Sequence, residues 1–289
     1  MKLYRFEIDG AARIGVERGD SLIDVTDAAK GCMLSVIENA VTAIPAIEQA
    51  LQGDLPAYAI ASVRLLAPIE RPGKVLCSGI NYHGHFAENP KAVMPSSPFF
   101  FAKLPNTIAG PGDPIFKPAL TEQLDYEVEF AVVIGKRIRN AASAEALEAI
   151  FGYTILHDVS ARDVQFTDYQ ITLGKNFDNF APIGPCIVTV DEIPDTSDVR
   201  LKTTVNGVVL QNGSTQDWVF PLGELIACLS HVMTLNPGDI VTTGTPAGVG
   251  YFQNPQVFLQ DGDVVSLEVE GIGVLTNRVT LENAHVSAA

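Results

Sequence analysis

The sequence predicts a β-rich α+β fold with a small N-terminal α+β domain over residues 1–70, a catalytic domain over 71–282 and a flexible tail over 283–289. Short strand patterns recur along the chain, separated by turn signals such as Asn206-Gly207 and Asp261-Gly262-Asp263. The few helical patterns do not alternate regularly with the strands, which argues against a doubly wound parallel sheet. The segment 65–74 contains two prolines and a glycine, and it marks the boundary between the domains.

The individual elements follow from periodicity. Residues 1–26 predict three short strands, broken at Asp9-Gly10 and Gly19-Asp20. Residues 33–50 show helical spacing, with a break expected at Pro45. The larger domain shows two helices, over about 143–151 and from about Pro221 onwards. Strands are predicted there at 74–80, 126–135, 153–158, 185–190, 202–207, 239–244, 264–270 and 273–280.

Composition narrows the function classes. The 289 residues include 19 Lys and Arg against 34 Asp and Glu, giving a formal net charge of −15. This excess argues against nucleic acid and anionic membrane surfaces as partners, because both require a basic face. The N-terminus lacks the apolar run of a secretory signal, and no stretch is long and apolar enough to span a bilayer, so we expect a cytoplasmic protein. The four cysteines, Cys32, Cys77, Cys186 and Cys228, are scattered, which favours reduced, buried thiols over disulfides or a zinc site.

The segment 124–136 carries the most informative pattern. In an extended strand its two faces differ: one bears Asp125, Glu127 and Glu129 before turning apolar, and the other is apolar throughout. Carboxylates clustered at the mouth of a buried strand repel each other, and a hard divalent cation would neutralise them. A solvated acidic patch is the alternative. Asp158, which ends the strand at 153–158, offers a third carboxylate.

A histidine–glutamate pair follows the strand at 74–80. If residues 80–89 are helical, His85 and Glu88 lie at positions i and i+3 on one face. Such a pair can act as a general base, with Glu88 fixing the tautomer of the imidazole. An ordinary surface hydrogen bond is the alternative, and the spacing leaves His83 open as a competing base.

Two positive residues and a glycine-rich loop are the remaining candidates for a functional site. Arg162 and Lys175 could bind a substrate carboxylate or a developing oxyanion, or could form ordinary ion pairs with the acidic residues. The N–H groups of the loop at 242–250 could form an anion nest. This loop lacks the spacing of phosphate and dinucleotide loops, and the sequence contains no GxSxG element of a serine hydrolase.

Taken in order, these segments resemble the fumarylacetoacetate hydrolase family over roughly residues 70–280. The resemblance rests on GINYHGHFAE, DYEVEFAVVIGK, GYTILHDVSARDVQ, GKNFDNFAPIGP, VNGVVLQ, PGDIVTTGTPAGVG and FLQDGDVVSLEVEGIGVLTN. It implies a mixed β-sandwich roll, usually a homodimer, with one Mg²⁺ or Mn²⁺ per chain. It implies the metal ligands Glu127, Glu129 and Asp158, the catalytic residues His85, Glu88 and Lys175, and the substrate contacts Arg162, Gln165, Gly244 and Thr245. It does not imply Asp125 as a ligand.

The resemblance predicts an enzyme acting on a small anionic 2-oxo acid. The first hypothesis is metal-dependent hydrolysis of a carbon–carbon bond in an acylpyruvate such as fumarylpyruvate or maleylpyruvate, giving pyruvate and a carboxylic acid. The alternative is oxaloacetate decarboxylation, or 2-oxo acid isomerisation, tautomerisation or hydratase-lyase chemistry at the same site. A non-catalytic metal- or metabolite-binding protein is a third hypothesis, and the complete set of ligands, His–Glu pair and lysine argues against it.

Overall fold

The computed structural model describes residues 1–90 and 93–282. The tail predicted over 283–289 lies outside the described residues. The first nine strands are β1 (Lys2–Ile8), β2 (Ala11–Arg18), β3 (Ser21–Asp24), β4 (Ala57–Ala59), β5 (Arg64–Leu66), β6 (Val75–Ser78), β7 (Phe100–Lys103), β8 (Ile108–Ala109) and β9 (Ile115–Lys117). The strands that follow are β10 (Leu124–Asp125), β11 (Val128–Ile134), β12 (Ile150–His157), β13 (Ser160–Ala161), β14 (Ala181–Thr189), β15 (Arg200–Val205), β16 (Val208–Ser214), β17 (Ile240–Thr242), β18 (Val264–Val269) and β19 (Gly273–Leu281).

The helices are short, and several lie beside the pocket described below. They are α1 (Met33–Glu38), α2 (Ala40–Ala50), α3 (His83–Glu88), α4 (Ser143–Leu147), α5 (Arg162–Phe166), α6 (Ile171–Lys175) and α7 (Leu222–Val232). The strands predicted from the sequence are all found within a few residues of their expected bounds. The β-rich α+β class is therefore confirmed.

Two sheets dominate the fold. The larger has the order β4-β3-β2-β1-β14-β12-β11-β17-β6-β7, with β5 added beside β1 and β8 beside β14. The smaller has the order β16-β15-β18-β19-β9. Most pairs are antiparallel, but β17 with β6, β14 with β8 and β19 with β9 are parallel, so both sheets are mixed. The N-terminal strands extend the larger sheet through the antiparallel pairing of β1 with β14. The domain division at about residue 70 stays a prediction.

The central strand β11 divides the interior. One face of β11 packs into a core that includes residues of the smaller sheet such as Leu267. This face carries Val128, Phe130 and Val132. Its opposite face contributes Ala131 and Val133 to a second core, shared with β1, α1 and α2. The alternation predicted for this strand is confirmed, because each face is buried against a different layer.

Two boundaries differ from the sequence prediction. The break in the first helical segment falls at Asn39, whose backbone angles are non-helical, while Pro45 lies inside α2. Asn39 ends α1 through its side-chain amide, which donates to the carbonyl of Ser35. The helix expected over 143–151 ends at Leu147, because Ile150 pairs with Ile134 as the first residue of β12. Sheet pairing overrides the local helical pattern there.

The sequence also led to predictions about the cysteines and about membrane-spanning segments. The four cysteines are free thiols, as predicted. Cys77 and Cys186 are buried, but the burial expected of Cys32 and Cys228 is wrong, because Cys32 is exposed and Cys228 is partly exposed. Within residues 1–90 and 93–282, no helix has the length and apolar character needed to cross a bilayer.

Candidate metal and substrate site

Strand register brings three carboxylates together. β11 and β12 pair with Val128 opposite His157, so the start of β11 adjoins the end of β12. The backbone N–H of Asp158 donates to the carbonyl of Glu127 at 3.0 Å. Glu127, Glu129 and Asp158 are all buried, and one carboxylate oxygen of each lies within 4.8 Å of the others. The three acids picked out in the sequence therefore converge on one point.

Cations surround two of the three acids. Lys175 Nζ lies 2.9 Å from Oε2 of Glu127 and 2.6 Å from Oδ2 of Asp158. The guanidinium of Arg162 also pairs with Glu127, and its Nε donates to Asp125 at 2.8 Å. Burial opposes ionisation of Glu127, but Arg162 and Lys175 outweigh it and hold the pKa of that carboxyl below its ordinary value. Glu127 is thus an anion held in place.

Glu129 is the exception. Its Oε2 atom is buried and has no hydrogen-bond partner among the described residues. Burial raises the pKa of Glu129 well above its ordinary value, and the nearby charges of Asp158 and Glu127 add to this. An unpartnered carboxylate oxygen beside two other buried carboxylates is what a hard divalent cation with oxygen ligands would satisfy. The donor set therefore fits Mg²⁺ or Mn²⁺, held by Glu127, Glu129 and Asp158.

Lys103 is a buried cation that the sequence argument missed. Its Nζ lies 2.6 Å from Oδ1 of Asp158 and donates to the carbonyls of Val159 and Phe180 at 2.9 and 2.8 Å. Burial lowers the pKa of Lys103, while Asp158 works in the opposite direction. A lysine within the apolar run 98–104 was the available signal, because a charge there must be buried with a partner.

The His–Glu pair lies on α3. His85 Nδ1 and Glu88 Oε2 are 2.7 Å apart, and Oε1 of Glu88 accepts from the backbone N–H of Gly248 at 2.8 Å. His85 lines the pocket, and no hydrogen bond to its other ring nitrogen, Nε2, is found among the described residues. His83 is exposed and does not line it. The geometry therefore favours His85 over His83 as the base.

The glycine-rich loop uses its N–H groups on the protein's own carboxylates. Besides the bond from Gly248 to Glu88, the N–H groups of Gly250 and Tyr251 donate to Asp125 at 2.8 and 3.0 Å. With these bonds and Arg162, Asp125 is fully engaged, which keeps it out of the acidic cluster. The loop anchors the His–Glu pair and the Asp125–Arg162 pair.

The pocket itself is a cavity of about 230 Å³. Of the predicted site residues, it is lined by His85, Glu127, Glu129, Arg162, Gln165, Lys175 and Thr245. Glu88 and Asp158 lie behind these residues, where Glu88 contacts His85 and Asp158 pairs with Lys175. Gln165 accepts from Arg162 at 3.1 Å, and the hydroxyl of Thr245 accepts from Gln211 at 2.8 Å. Gly244 also lies behind the lining, with φ of +82° and no room for a side chain, because a Cβ there would lie 2.8 Å from the carbonyl oxygen of Gly79.

Comparisons with known proteins find both similar sequences and similar solved structures. Residues 74–280 match the family model described as fumarylacetoacetate (FAA) hydrolase, C-terminal. A protein named mitochondrial oxaloacetate tautomerase from Rattus norvegicus is 43% identical over 248 residues, covering 86% of this chain and 79% of that protein. The structure of a fumarylacetoacetate hydrolase from the psychrophile Exiguobacterium antarcticum has a TM-score of 0.85 and 42% identity, covering 98% of this chain and 100% of the other.

A further solved structure bears on the metal. It is maleylpyruvate hydrolase from Sphingobium sp. SYK-6 in complex with manganese(II) and pyruvate, with a TM-score of 0.84 and 32% identity, covering 98% of this chain and 100% of the other. That relative binds Mn²⁺ and a 2-oxo acid.

The expected cytoplasmic location is wrong on these comparisons, since the rat relative is named as a mitochondrial protein. Secretory signals and membrane spans both contain an apolar run. Mitochondrial targeting segments are instead amphipathic and rich in arginine, so the lack of an apolar run does not bear on them.

Proposed function

The chain belongs to the fumarylacetoacetate hydrolase family, and on that premise we propose that it catalyses keto–enol tautomerisation of a small 2-oxo acid, with oxaloacetate as the first substrate to test. The relative named oxaloacetate tautomerase supports this choice at 43% identity. Tautomerisation thus replaces carbon–carbon hydrolysis as the leading hypothesis.

The observation that carries the proposal is the placement of an oriented imidazole and a carboxylate cluster on one cavity. His85 lines the same pocket as Glu127 and Glu129. In tautomerisation a proton leaves C3, its electron pair forms the C2=C3 bond, and the oxygen on C2 takes up a proton. His85, held by Glu88, can take and return the C3 proton through Nε2. Such a reaction consumes no water and releases no fragment.

The negative charge that develops on the C2 oxygen must be stabilised by positive groups in the pocket. A divalent cation held by Glu127, Glu129 and Asp158 would supply Lewis-acid polarisation of the 2-oxo group. Lys175 pairs with Glu127 and Asp158 and lines the cavity, so its ammonium can stabilise an enolate oxygen. The substrate carboxylate is proposed to bind near Arg162 and Gln165.

Pocket size supports a small substrate. The cavity of about 230 Å³ is smaller than the roughly 300–1,000 Å³ of sites for drug-sized ligands. A small 2-oxo acid such as oxaloacetate suits such a space.

Hydrolysis of an acylpyruvate is the second candidate, favoured by the His85–Glu88 pair itself. The same imidazole could deprotonate a water, whose oxygen would add to the distal carbonyl carbon. The carbon–carbon bond would then break, and the departing pyruvate enolate would take up a proton. The maleylpyruvate hydrolase structure with Mn²⁺ and pyruvate supports this route at 32% identity.

One panel of assays separates the two. Decay of the enol absorbance of oxaloacetate is followed with Mg²⁺ or Mn²⁺, against a no-enzyme control, and pyruvate release from oxaloacetate and from acylpyruvates is measured in parallel. Faster enol–keto conversion without pyruvate release supports tautomerisation. Pyruvate release from acylpyruvates, with no acceleration of enol decay, would replace the proposal by hydrolysis, and pyruvate release from oxaloacetate would indicate decarboxylation.

A further inference from the structure

A buried glutamine follows a β-bulge in the smaller sheet. In the pairing of β16 with β15 the register shifts between Thr203 and Thr204, which leaves Leu210 as an extra residue on β16. Gln211, the next residue, is 1% exposed. Bulges re-aim the side chains beside them and recur next to functional sites. This one accompanies a polar amide that is buried in the interior.

The amide of Gln211 makes four hydrogen bonds. Its Oε1 accepts from the backbone N–H of Val128 at 3.1 Å and from the hydroxyl of Thr203 at 2.7 Å. Its Nε2 donates to the carbonyl of Pro246 at 2.9 Å and to the hydroxyl oxygen of Thr245 at 2.8 Å. A backbone N–H only donates and a carbonyl only accepts, so these two partners fix which end of the amide faces each side.

The same bonds fix the polarity of the Thr245 hydroxyl. Its oxygen accepts from Gln211, and no acceptor for its hydrogen is found among the described residues. Thr245 lines the pocket together with His85 and Glu127. A hydroxyl has one hydrogen to donate. Thr245 is therefore arranged to offer the pocket a donor.

Gln211 also connects this donor to the carboxylate cluster. Val128, whose N–H the amide accepts, lies between two of the proposed metal ligands in the chain. The glycine-rich loop that carries Thr245 packs closely on β16, because a Cβ on Gly248 would lie 2.2 Å from the carbonyl oxygen of Leu210. One buried amide thus sets the position of the hydroxyl relative to the acids.

We propose that Gln211 is a positioning residue, which holds the Thr245 hydroxyl as a hydrogen-bond donor to an oxygen of the bound 2-oxo acid. This inference rests on the proposed function for its ligand, since the carboxylate and oxo groups of such acids present acceptor oxygens. Gln211 does not itself line the pocket, so it acts through Thr245. A donor that is oriented beforehand need not be ordered when the ligand enters.

The test is a double-mutant cycle on calorimetric binding of oxalate in the presence of Mn²⁺. Thr245→Val removes the hydroxyl and should weaken oxalate binding by about tenfold or more, the scale of a hydrogen bond to a charged group. Thr245→Ser keeps the hydroxyl and should retain binding. Gln211→Glu replaces Nε2 by an acceptor oxygen, so the hydroxyl of Thr245 donates to the carboxylate and its hydrogen turns away from the pocket. In that background Thr245→Val should weaken binding by less than about twofold.

Comparing Thr245→Val within each background cancels the general effect of the added glutamate charge on oxalate. Thr203→Val is the matched control, because it removes a hydroxyl bonded to the other end of the same amide. Val128 and Pro246 still fix the amide there, so Thr245→Val should keep its full effect. If Gln211→Glu does not fold, Gln211→Met replaces it. The effect of Thr245→Val should again be smaller than in wild type, because the hydroxyl is no longer held as a donor.

An equal effect of Thr245→Val in wild type and in the Gln211 variant would overturn the inference. So would wild type that binds no oxalate, or whose binding Thr245→Val leaves unchanged. Failure of the reaction has a separate signature: protein that converts neither oxaloacetate nor an acylpyruvate lacks the proposed function, while the oxalate cycle still decides the inference. Where turnover is present, Gln211→Glu should raise KM more than it lowers kcat, as expected for a group that acts in binding.

Discussion

Lys103 Nζ lies 2.6 Å from Oδ1 of Asp158, and both side chains are buried. The same ammonium donates to two main-chain carbonyls, those of Val159 and Phe180. One cation at the end of β7 therefore fixes the segment after β12 and the residue before β14. It also holds one oxygen of a proposed metal ligand.

Replacing this lysine should destabilise the protein. Lys103→Met leaves the charge of Asp158 less compensated and removes the hydrogen bonds from Lys103 to the carbonyls of Val159 and Phe180, of which the second keeps its bond from the N–H of Val159. We therefore expect a loss of about 3–5 kcal/mol in the free energy of unfolding. Urea unfolding without metal measures it. Adding Mn²⁺ should recover part of the loss, because the cation would supply charge beside Asp158.

Lys117 provides the control. It is also a buried lysine, but its ammonium donates to the side chain of Gln260, and its acidic neighbour Glu122 is exposed and 3.9 Å away. Lys117→Met should cost about 1 kcal/mol, the value of a typical hydrogen bond, and Mn²⁺ should not rescue it selectively. Equal losses at the two lysines would contradict the role given to Lys103.

Local sequence patterns predict which face of a strand a residue lies on, but not which distant residues it meets. Strand alternation in 124–136 predicts two buried faces and an acidic end, because side-chain direction depends only on the period of an extended strand. The convergence of Asp158 with Glu127 depends on the register of β11 against β12, which no local pattern specifies. The apolar run around Lys103 indicates a buried lysine, but it does not identify the partner, Asp158, which is 55 positions away in the chain.

Local patterns also failed where long-range pairing decides the structure. Ile150 fits a helical face in the sequence, yet it forms the first pair of β12 with Ile134. The N–H groups of the glycine-rich loop at 242–250 could have formed a nest for an external anion. Glu88 and Asp125 accept from two of them, those of Gly248 and Gly250, because the fold brings both acids to that loop.

The next prediction concerns Glu129, whose Oε2 has no hydrogen-bond partner among the described residues. Glu129→Gln removes a buried ionisable group whose charged form is opposed by burial and by the nearby charges of Asp158 and Glu127, so the metal-free variant should be at least as stable as wild type. Saturating Mn²⁺ should stabilise wild type, by about 2.7 kcal/mol at 100 times the dissociation constant, and should stabilise the variant far less. Thermal unfolding with and without Mn²⁺ measures both effects.

Glu148→Gln serves as the surface control for that experiment. Glu148 is exposed, so the same chemical change should leave the Mn²⁺-induced stabilisation intact. Full stabilisation of Glu129→Gln by Mn²⁺ would place the metal elsewhere.

Metal removal should abolish turnover while the fold survives. The three acids lie at the ends of strands that pack into the cores through other residues, so the cation is expected to supply chemistry more than folding. Activity after chelation, circular dichroism of the chelated protein, and recovery with Mg²⁺ or Mn²⁺ test this. Full turnover by protein that metal analysis shows to be metal-free would contradict it.

Substitution of His85 tests the base directly. His85→Ala should lower turnover by about 10²–10⁴-fold, the range for loss of a general base. Oxalate, a pyruvate-like inhibitor, should bind nearly as well, because its contacts are proposed to be the metal and the acid-binding residues. The same variant should be assayed on an acylpyruvate if wild type cleaves one. Near-normal turnover would transfer the role to another group, with His83 the first to test.

The last prediction separates orientation of His85 from mere support of α3. Glu88 accepts from Gly248 with one oxygen and holds His85 Nδ1 with the other. In Glu88→Gln the amide oxygen can keep the bond to Gly248, which turns the amide NH₂ toward Nδ1 and favours the tautomer with the proton on Nε2. That nitrogen can no longer accept a proton, so kcat should fall by about 10²–10⁴-fold with little change in KM.

Asp217→Ala is the matched comparison, because Asp217 anchors α3 through the N–H of Gly84 at 2.7 Å without touching the imidazole. It should raise KM more than it lowers kcat. ¹⁵N chemical shifts of the His85 ring report the tautomer, and an unchanged tautomer in a Glu88→Gln protein of normal kcat would show that Glu88 only supports the helix.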